Sequence, residues 1–507
     1  MAEAIRDAAP RPRLALRVSA DRVALILVLG AAYVLRLYVI ATHRYVAAPD
    51  ETFQYFEQAH RLVFGSGVVP WEYIDGIRSW LLPGLIAVLM RLTDWLVPGS
   101  IAYIALTRAL VAALSLLPVA AAFVWLRRGA GLGFAVAGAL FVATAYDLVL
   151  YAPAVLTEML ASYAALAAIG LGEGTQSRAR RIASGACYGL ACCLRFQYGP
   201  PLVLAAAWQC GRGRQAWLAV LVGGLAVAIP VAGLLDWVTW GTPFQSIWLN
   251  VVLNTRDHVA SAMGVAPDTT YAVLLLGSWT LVGVSLAALG AVRAPALALT
   301  AAAILIEHSL IAHKEYRFIF FTLMSMPILI SLGMARLCGW LARLRGAGRA
   351  AMTIAMLSLL VLQGVNWDRM LQISATYWHH DTAVLALFQA AHDDPATCGL
   401  GVRSLGWQRT GGYSYFNRNL PIYYSRFDPA QRLPGSSAVL RSVVVLRGHA
   451  LTQYPGAALA RHSAAFNTLI AAAGHGLPGF VPRFCRTNVT RSGAMPLCLY
   501  TRPGPCR

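Results

Sequence analysis

Charge is scarce in this chain. Asp, Glu, Lys and Arg together make up 12% of its 507 residues, against about 25% in an ordinary soluble domain. That scarcity excludes a disordered chain and a coiled coil, both of which depend on charged positions. Nine cysteines in a chain this long exclude a disulfide-built miniprotein. Lysine is nearly missing: Lys314 is the single one among 41 basic residues. Also missing are an internal repeat, a Walker phosphate loop, a dinucleotide fingerprint and zinc-ligand spacing. What fills the space is apolar. AVILMFWYC account for 58% of the residues, which makes this an integral membrane protein. The net charge of +19 fits a nucleic-acid binder on paper, but arginines grouped in short loops between apolar runs follow the positive-inside rule instead. Arginine in place of lysine, with abundant Ala and Gly, suggests a GC-rich and hence bacterial genome.

Eleven apolar runs read as membrane helices: 22–40, 101–126, 131–150, 159–172, 182–194, 200–210, 215–236, 271–291, 295–312, 318–336 and 350–366. No cleavable signal peptide is evident; the basic N-terminus leads into an anchor-like first span. Arg127–Arg128, Arg178, Arg180 and Arg181, Arg212 and Arg214, Arg293 and the cluster from Arg336 to Arg349 are assigned to the cytoplasm. The turns 41–80, 151–158, 195–199, 237–270 and 313–317, with everything after 367, then face the periplasm. Segment 81–97 is apolar enough to cross, but a crossing there would put the later arginines outside. It is expected to be re-entrant or interfacial, with a miscounted short span elsewhere as the alternative.

From residue 368 the composition shifts. A helix-like stretch at 382–393, strand-like runs at 398–403, 420–424 and 442–446, and an apolar helix-like run at 463–473 are punctuated by Gly and Pro. This predicts two parts: a membrane domain, 1–367, and a small periplasmic α+β domain, 368–507. Four cysteines fall in the second part (Cys398, Cys485, Cys498 and Cys506), where an oxidising compartment permits disulfides in any of three pairings. Asn488-Val-Thr490 is a glycosylation sequon, meaningful only in a eukaryotic secretory pathway.

In a membrane protein the informative charges are those that loop duty does not explain. One cluster follows the first span, APDETFQYFEQAHRLVFGSGVVPWEYIDGIRSW, residues 48–80. Pro49 suits a first helical position, which puts Asp50 and Glu51 in the first turn, where the helix dipole favours anions. They can be helix-start acids and no more; but two carboxylates beside the membrane, near His60, Trp71, Glu72, Arg78 and Trp80, also suit chemistry. Phe53, Phe56, His60 and Phe64 share a stripe, so this helix is expected to lie on the membrane surface, with Glu57 and Arg61 paired at i,i+4. The second cluster, IEHSLIAHKEYRFIFF, packs His308, His313, Lys314, Glu315 and Arg317 between two apolar spans. Adjacent cations suit a phosphate, gripped bidentately by Arg and as a point charge by Lys. Glu158, Arg195 and Asp236 stand alone at other ends on the same side.

These residues resemble a family. PDETFQYFEQAHRLVFGSGVVPWEYIDGIRSWLLP together with HKEYRF is similar to the membrane mannosyltransferases that build GPI anchors and N-glycan precursors, within the C-type glycosyltransferase superfamily. YAPAVLTE, LRFQYGPP and LLDWVTWGTPF match weaker family stretches, and the resemblance covers roughly residues 20–340. It implies a mainly α, polytopic fold of about 11–12 membrane helices with its site on the non-cytoplasmic face. It also implies a polyprenyl-phosphate sugar donor, typically of mannose, and an inverting transfer. Carried over position by position, Asp50 and Glu51 become the catalytic carboxylates, and His313, Lys314, Glu315 and Arg317 the second motif. Tyr316 stands where the eukaryotic pattern often has another acid.

On that reading Lys314, Arg317 and His313 hold the departing phosphate. Asp50 first, and Glu51 second, takes the proton of the attacking hydroxyl. Glu57, His60, Trp71, Glu72, Arg78, Trp80, Glu158, Arg195, Asp236, Glu315 and Tyr316 complete the expected substrate-binding set. No cofactor or metal is required, since the leaving group is already anionic, though the two acids could hold a divalent ion. The partners implied are a lipid-linked sugar donor, a glycan or glycolipid acceptor and membrane lipid, not nucleic acid. The rival readings are a transporter or lipid flippase, and a scaffolding subunit. A transporter shows repeats and midplane charges, whereas these charges collect at one face; a scaffold has no use for two carboxylates opposite a cationic turn.

Overall fold

Helices form where the sequence has its long apolar runs, because a backbone in hydrocarbon has to satisfy its own hydrogen bonds. The structure, a computed structural model, describes residues 20–256, 259–345, 348–426, 430–432, 439–451, 458–490 and 493–506. Among the described residues, five helices are long and apolar enough to cross a membrane: Ala20–Thr42, Ala102–Ala130, Arg214–Trp240, Thr270–Ala291 and Tyr316–Arg343. Shorter apolar helices run over Leu132–Ala143, Thr157–Gly172 and Pro295–Leu310, and further helices over Arg178–Leu194, Gly199–Cys210 and Gly348–Ser374. Each of the eleven predicted runs thus contains a helix. The helix Phe320–Arg345 is the central pillar, with Phe320, Phe321, Met324, Ile328 and Ile330 fully buried. Its Gly333 and Gly290 of the neighbouring helix permit backbone contact: a Cβ at either would sit about 2 Å from a carbonyl oxygen of the other helix.

Polar groups sort to two ends. At one, Arg127 pairs with Asp21 at 3.0 Å and Arg128 with Glu173 at 3.5 Å. At the other lie Asp50, Glu158, Arg195 and Arg317. The helix Leu81–Leu96 is tied to the rest of the molecule on both sides. Before it, the Arg78 carbonyl accepts from the indole of Trp240; after it, the carbonyls of Gly99 and Ser100 accept from Asn417 of the C-terminal part.

The C-terminal part is built on a five-stranded sheet. Its strands are β2 (Leu400–Gly406), β3 (Ile422–Arg426), β8 (Thr468–Ala472), β9 (Val481–Thr490) and β10 (Gly493–Thr501), in the order β3-β2-β8-β10-β9. β2 runs parallel to both neighbours and β10 antiparallel to both. The helix Thr382–Asp393 covers one face, as the sequence predicted. The run 463–473, expected as a helix, instead holds a short 3-10 turn, Ser463–Ala465, and then the central strand β8, Thr468–Ala472, buried at every position. A short, continuously apolar run carries no periodicity to separate the two. Cys485 and Cys498 face each other across β9 and β10 and are bridged, as are Cys398 and Cys506. Asn488 of the sequon is buried and donates to Asp381 at 3.1 Å, so the folded domain does not offer it for glycosylation. β4 (Ala430–Arg432) and β5 (Val439–Arg441) pair with each other. β6 (Val443–Leu446) and β7 (His449–Leu451) form a second sheet, completed by β1 (Gly67–Val69) from the first long loop.

Candidate active site

The first loop enters the site through a helix that starts at Pro49 and Asp50 and widens into a π turn over Glu51–Phe56 before continuing as Glu57–Phe64. Such turns redirect side chains and recur at functional sites. Here the two adjacent acids part company. Asp50 Oδ2 accepts from Arg317 Nη2 at 2.7 Å, and the side chain keeps 25% exposure. Glu51 is 2% exposed and pairs with Arg108 at 2.9 Å.

Arg317 is the hub. Besides Asp50 it meets Glu315 at 2.7 Å through Nε and Glu158 at 3.5 Å through Nη1. Glu158 in turn takes Arg195 at 3.0 Å. Glu158 opens the helix Thr157–Gly172, and Arg195 ends the helix Arg178–Leu194, so two rigid elements deliver this pair. Burial works against the charge on Glu315, but Arg317 and His313 outweigh it and hold the carboxyl well below its usual range. The same contact, His313 Nε2 to Glu315 at 3.3 Å, raises the imidazole. An open cavity of about 560 Å³ adjoins this array, lined among others by Tyr55, Arg78, Ser79, Arg195, Gln197, Ser246 and Asn250. Among the described residues, the Nε atoms of Arg78 and Arg195 are buried without a hydrogen-bond partner. A buried, unsatisfied guanidinium donor is an incomplete arrangement.

The structure thus brings together Asp50, Glu158, Arg195, His313, Glu315 and Arg317, and Arg78 lines the same cavity as Arg195. Other expected residues are engaged elsewhere. The Lys314 ammonium donates to the carbonyls of Ile311 at 2.6 Å and Ala266 at 3.1 Å. The Tyr316 hydroxyl donates to Asp147 at 2.8 Å. Asp236 accepts from the amide and hydroxyl of Ser246, at 2.8 and 2.6 Å, and so shapes the cavity wall from behind. Glu72, pushed up to about 7 by burial, accepts from Gln54 at 2.8 Å. Trp71 opens the short helical turn that carries Glu72. Trp80 packs on Tyr73 and Trp240 beside Arg61.

Two expectations are corrected. Glu57 and His60, expected in the substrate-binding set, are both buried against the C-terminal part. Glu57 therefore does not pair with Arg61, which reaches Gln58 instead. Nor does the Phe53, Phe56 and His60 stripe lie on lipid. Phe53 stacks edge-on against Trp407, 4.8 Å between centroids, and an apolar stripe alone does not say which apolar surface covers it. Sequence reasoning missed Arg108, Tyr55 and Asp147. An arginine inside the run 101–126 and an aspartate inside 131–150 are intramembrane charges, a signal that was present for two of the three.

Comparison with known proteins adds to this geometry. The sequence model of the Alg9-like mannosyltransferase family matches residues 27–415. GPI mannosyltransferase 3 of Trypanosoma brucei brucei is 46% identical over 56 residues, 11% of this chain and 10% of that protein. GPI mannosyltransferase 3 of Drosophila melanogaster is 46% identical over 56 residues, and mannosyltransferase APTG1 of Arabidopsis thaliana 52% over 44. The aligned stretches thus span about a tenth of the length of these relatives. The crystal structure of ArnT from Cupriavidus metallidurans bound to undecaprenyl phosphate superposes with a TM-score of 0.58 at 12% identity, over 94% of this chain and 98% of that one. That likeness is one of fold, the C-type membrane glycosyltransferase architecture with a small C-terminal sheet domain.

Proposed function

Since the chain belongs to the Alg9-like mannosyltransferase family, we propose that it transfers a sugar, mannose by family, from a polyprenyl-phosphate donor to a hydroxyl of a lipid-linked or envelope glycan. The observation that carries this reading is the array Asp50–Arg317–Glu158–Arg195 beside a cavity with two unsatisfied guanidinium donors. A sugar bound to a lipid phosphate needs three things: cations for the phosphate that departs, a base for the hydroxyl that attacks, and apolar access for the lipid. Arg78 and Arg195 line the cavity with free donors, and Arg317 stands behind Arg195 through Glu158; together they take the developing charge on the phosphate. Lys314 and His313 complete the cationic turn. The acceptor oxygen forms a bond to the anomeric carbon as the carbon–oxygen bond to the phosphate breaks. The acceptor proton passes to Asp50, and the polyprenyl phosphate leaves with the electron pair. One direct displacement inverts the anomeric centre.

Asp50 rather than Glu51 is the base, because it is the exposed acid of the two, while Glu51 is committed to Arg108. The site and the C-terminal domain face the periplasm by the arginine rule, and the chain is a multi-pass protein of the inner membrane. The ArnT structure, with undecaprenyl phosphate bound to the same fold, supports a donor of this class. Mass spectrometry of envelope lipids and glycans from cells with and without the gene tests the proposal. A species that loses one hexose without the gene, and regains it with the gene but not with an Asp50→Asn copy, identifies the acceptor. Unchanged glycans together with an altered lipid distribution between leaflets favour a flippase instead.

A further inference from the structure

Glu57 is the most deeply buried acid of the first loop, and among the described residues no cation forms an ion pair with it. Its Oε1 accepts from the Ser414 amide at 2.6 Å and the Ser414 hydroxyl at 2.5 Å, and its Oε2 from the Val68 amide at 2.7 Å. Burying a carboxyl is costly, and an apolar side chain would hold two surfaces together more cheaply. What the carboxyl adds is direction, since three donors fix its place and its angle.

The receiving turn, Gly412–Phe416, is shaped to this contact. Gly412 sits at φ +57, and a Cβ there would lie 2.6 Å from the Glu57 carboxyl carbon. Around it, Tyr103 donates to the Ser414 carbonyl. His60 lies between the Ser66 carbonyl at 2.6 Å and Asn417 at 3.1 Å. The Gly448 amide donates to the Gly65 carbonyl at 2.7 Å, and β1 is a strand of the C-terminal sheet β1-β6-β7. From Glu57 the helix runs back through the π turn Glu51–Phe56 to Asp50, and no loop lies between them to absorb a displacement.

We propose that Glu57 is a positioning residue: by clamping the Gly412–Phe416 turn it makes the C-terminal domain set the reach of Asp50 into the site. The C-terminal domain is thereby part of the catalytic apparatus, holding the base from behind while touching no reacting atom. This rests on the role given to Asp50 above. Misplacing a reacting group by about 1 Å costs up to about a hundredfold in rate, so a loosened clamp is read in turnover rather than in donor affinity.

The test uses the full chain in nanodiscs, radiolabelled undecaprenyl-phosphate mannose as donor and a lipid extract of the producing cells as acceptor. Glu57→Gln sets an amide donor against either the Val68 or the Ser414 N–H; Ser414→Ala removes one donor and is the milder change. Each is expected to lower kcat at least tenfold with donor KM within about twofold, and the double variant no further than the worse single one, since both break one clamp. Wild-type kcat in a folded Glu57→Gln protein overturns the proposal. So does a loss confined to KM, or two losses that multiply. If Glu57→Gln fails to fold, the same criteria apply to Ser414→Ala. Asp50→Asn separates the two readings: an active Asp50→Asn enzyme defeats the function proposed for Asp50. A dead one beside a fully active Glu57→Gln defeats only the clamp.

Discussion

Asp50 and Glu51 are neighbours in the chain with opposite duties, and substitution separates them. Asp50→Asn keeps the shape and loses the proton acceptor, so transfer is expected to fall by about 10²–10⁴-fold while the protein stays folded. Glu51→Ala strands the Arg108 charge in the interior, a loss of about 3–5 kcal/mol of stability for a buried pair. The expected result is a lower melting temperature and less folded protein, not a specific loss of turnover. Transfer at wild-type level by Asp50→Asn would remove it as the base. Two residues of the clamp titrate in opposite senses. Burial pushes Glu57 up to about 7 from 4.5, so a released Glu57 loses a proton that the docked one keeps, and docking weakens as pH rises from 4.5 through 7. Burial pushes His60 down to about 4 from 6.5, so a released His60 gains a proton that the docked one refuses, and docking weakens as pH falls from 6.5 through 4. Between 4.5 and 6.5 the two slopes oppose each other. Glu57→Gln leaves only the second, so its melting temperature should drop on acidification across that window more steeply than the wild type's. Parallel curves for the two proteins would contradict this.

At the scale of elements, the cationic turn 313–317 and the helix starts at Asp50 and Glu158 converge although far apart in sequence. Arg317 is the piece they share. Arg317→Lys keeps the charge but cannot meet Asp50, Glu158 and Glu315 at once with a planar fork. Transfer is expected to fall by a factor of ten or more, with Arg195→Ala raising donor KM through loss of the Glu158 bridge and the cavity donor; donor titration and steady-state rates read the two effects apart. Much of this convergence was legible in the sequence, because a membrane chain with few charges makes each one conspicuous, and arginine counts sorted Glu158, Arg195 and Arg317 to one side in advance. Their mutual contacts were not legible, since distances between separate helices are set by packing. The same holds for Glu57 and His60: their partners, Ser414 and Asn417, lie more than 350 residues away. Strand β8 was missed for a local reason, its unbroken apolar run, whereas Asp147, a charge inside a predicted span, left a legible signal that was not taken up.

On the scale of the whole molecule, the C-terminal sheet domain and the catalytic array share one end, and the contacts that show it are independent of any assignment of compartment. Asn417 of the C-terminal part touches His60 of the first loop and also Gly99 and Ser100 beyond the helix Leu81–Leu96. That helix has 16 residues, about 24 Å at 1.5 Å per residue, short of the ~30 Å hydrocarbon thickness. An interfacial placement of this helix, the one expected from the sequence, leaves the parity of the later spans intact. Arg127, Arg128 and Arg181 then belong to the opposite face, which the positive-inside rule assigns to the cytoplasm. The two disulfides, Cys398–Cys506 and Cys485–Cys498, both lie in the C-terminal domain, and the unpaired cysteines lie in or beside membrane helices; a disulfide pair persists on the oxidising side of a membrane. A reporter active only in the cytoplasm, fused after residue 507, is therefore expected to stay silent, and one active only in the periplasm to work. The reverse result would invert the orientation of the whole chain. It would not separate the site from the C-terminal domain, because the clamp at Glu57 joins them whichever compartment they face. To separate them, a cysteine at Trp95 has to be labelled from the compartment opposite a cysteine in the C-terminal domain, which would make Leu81–Leu96 a crossing helix.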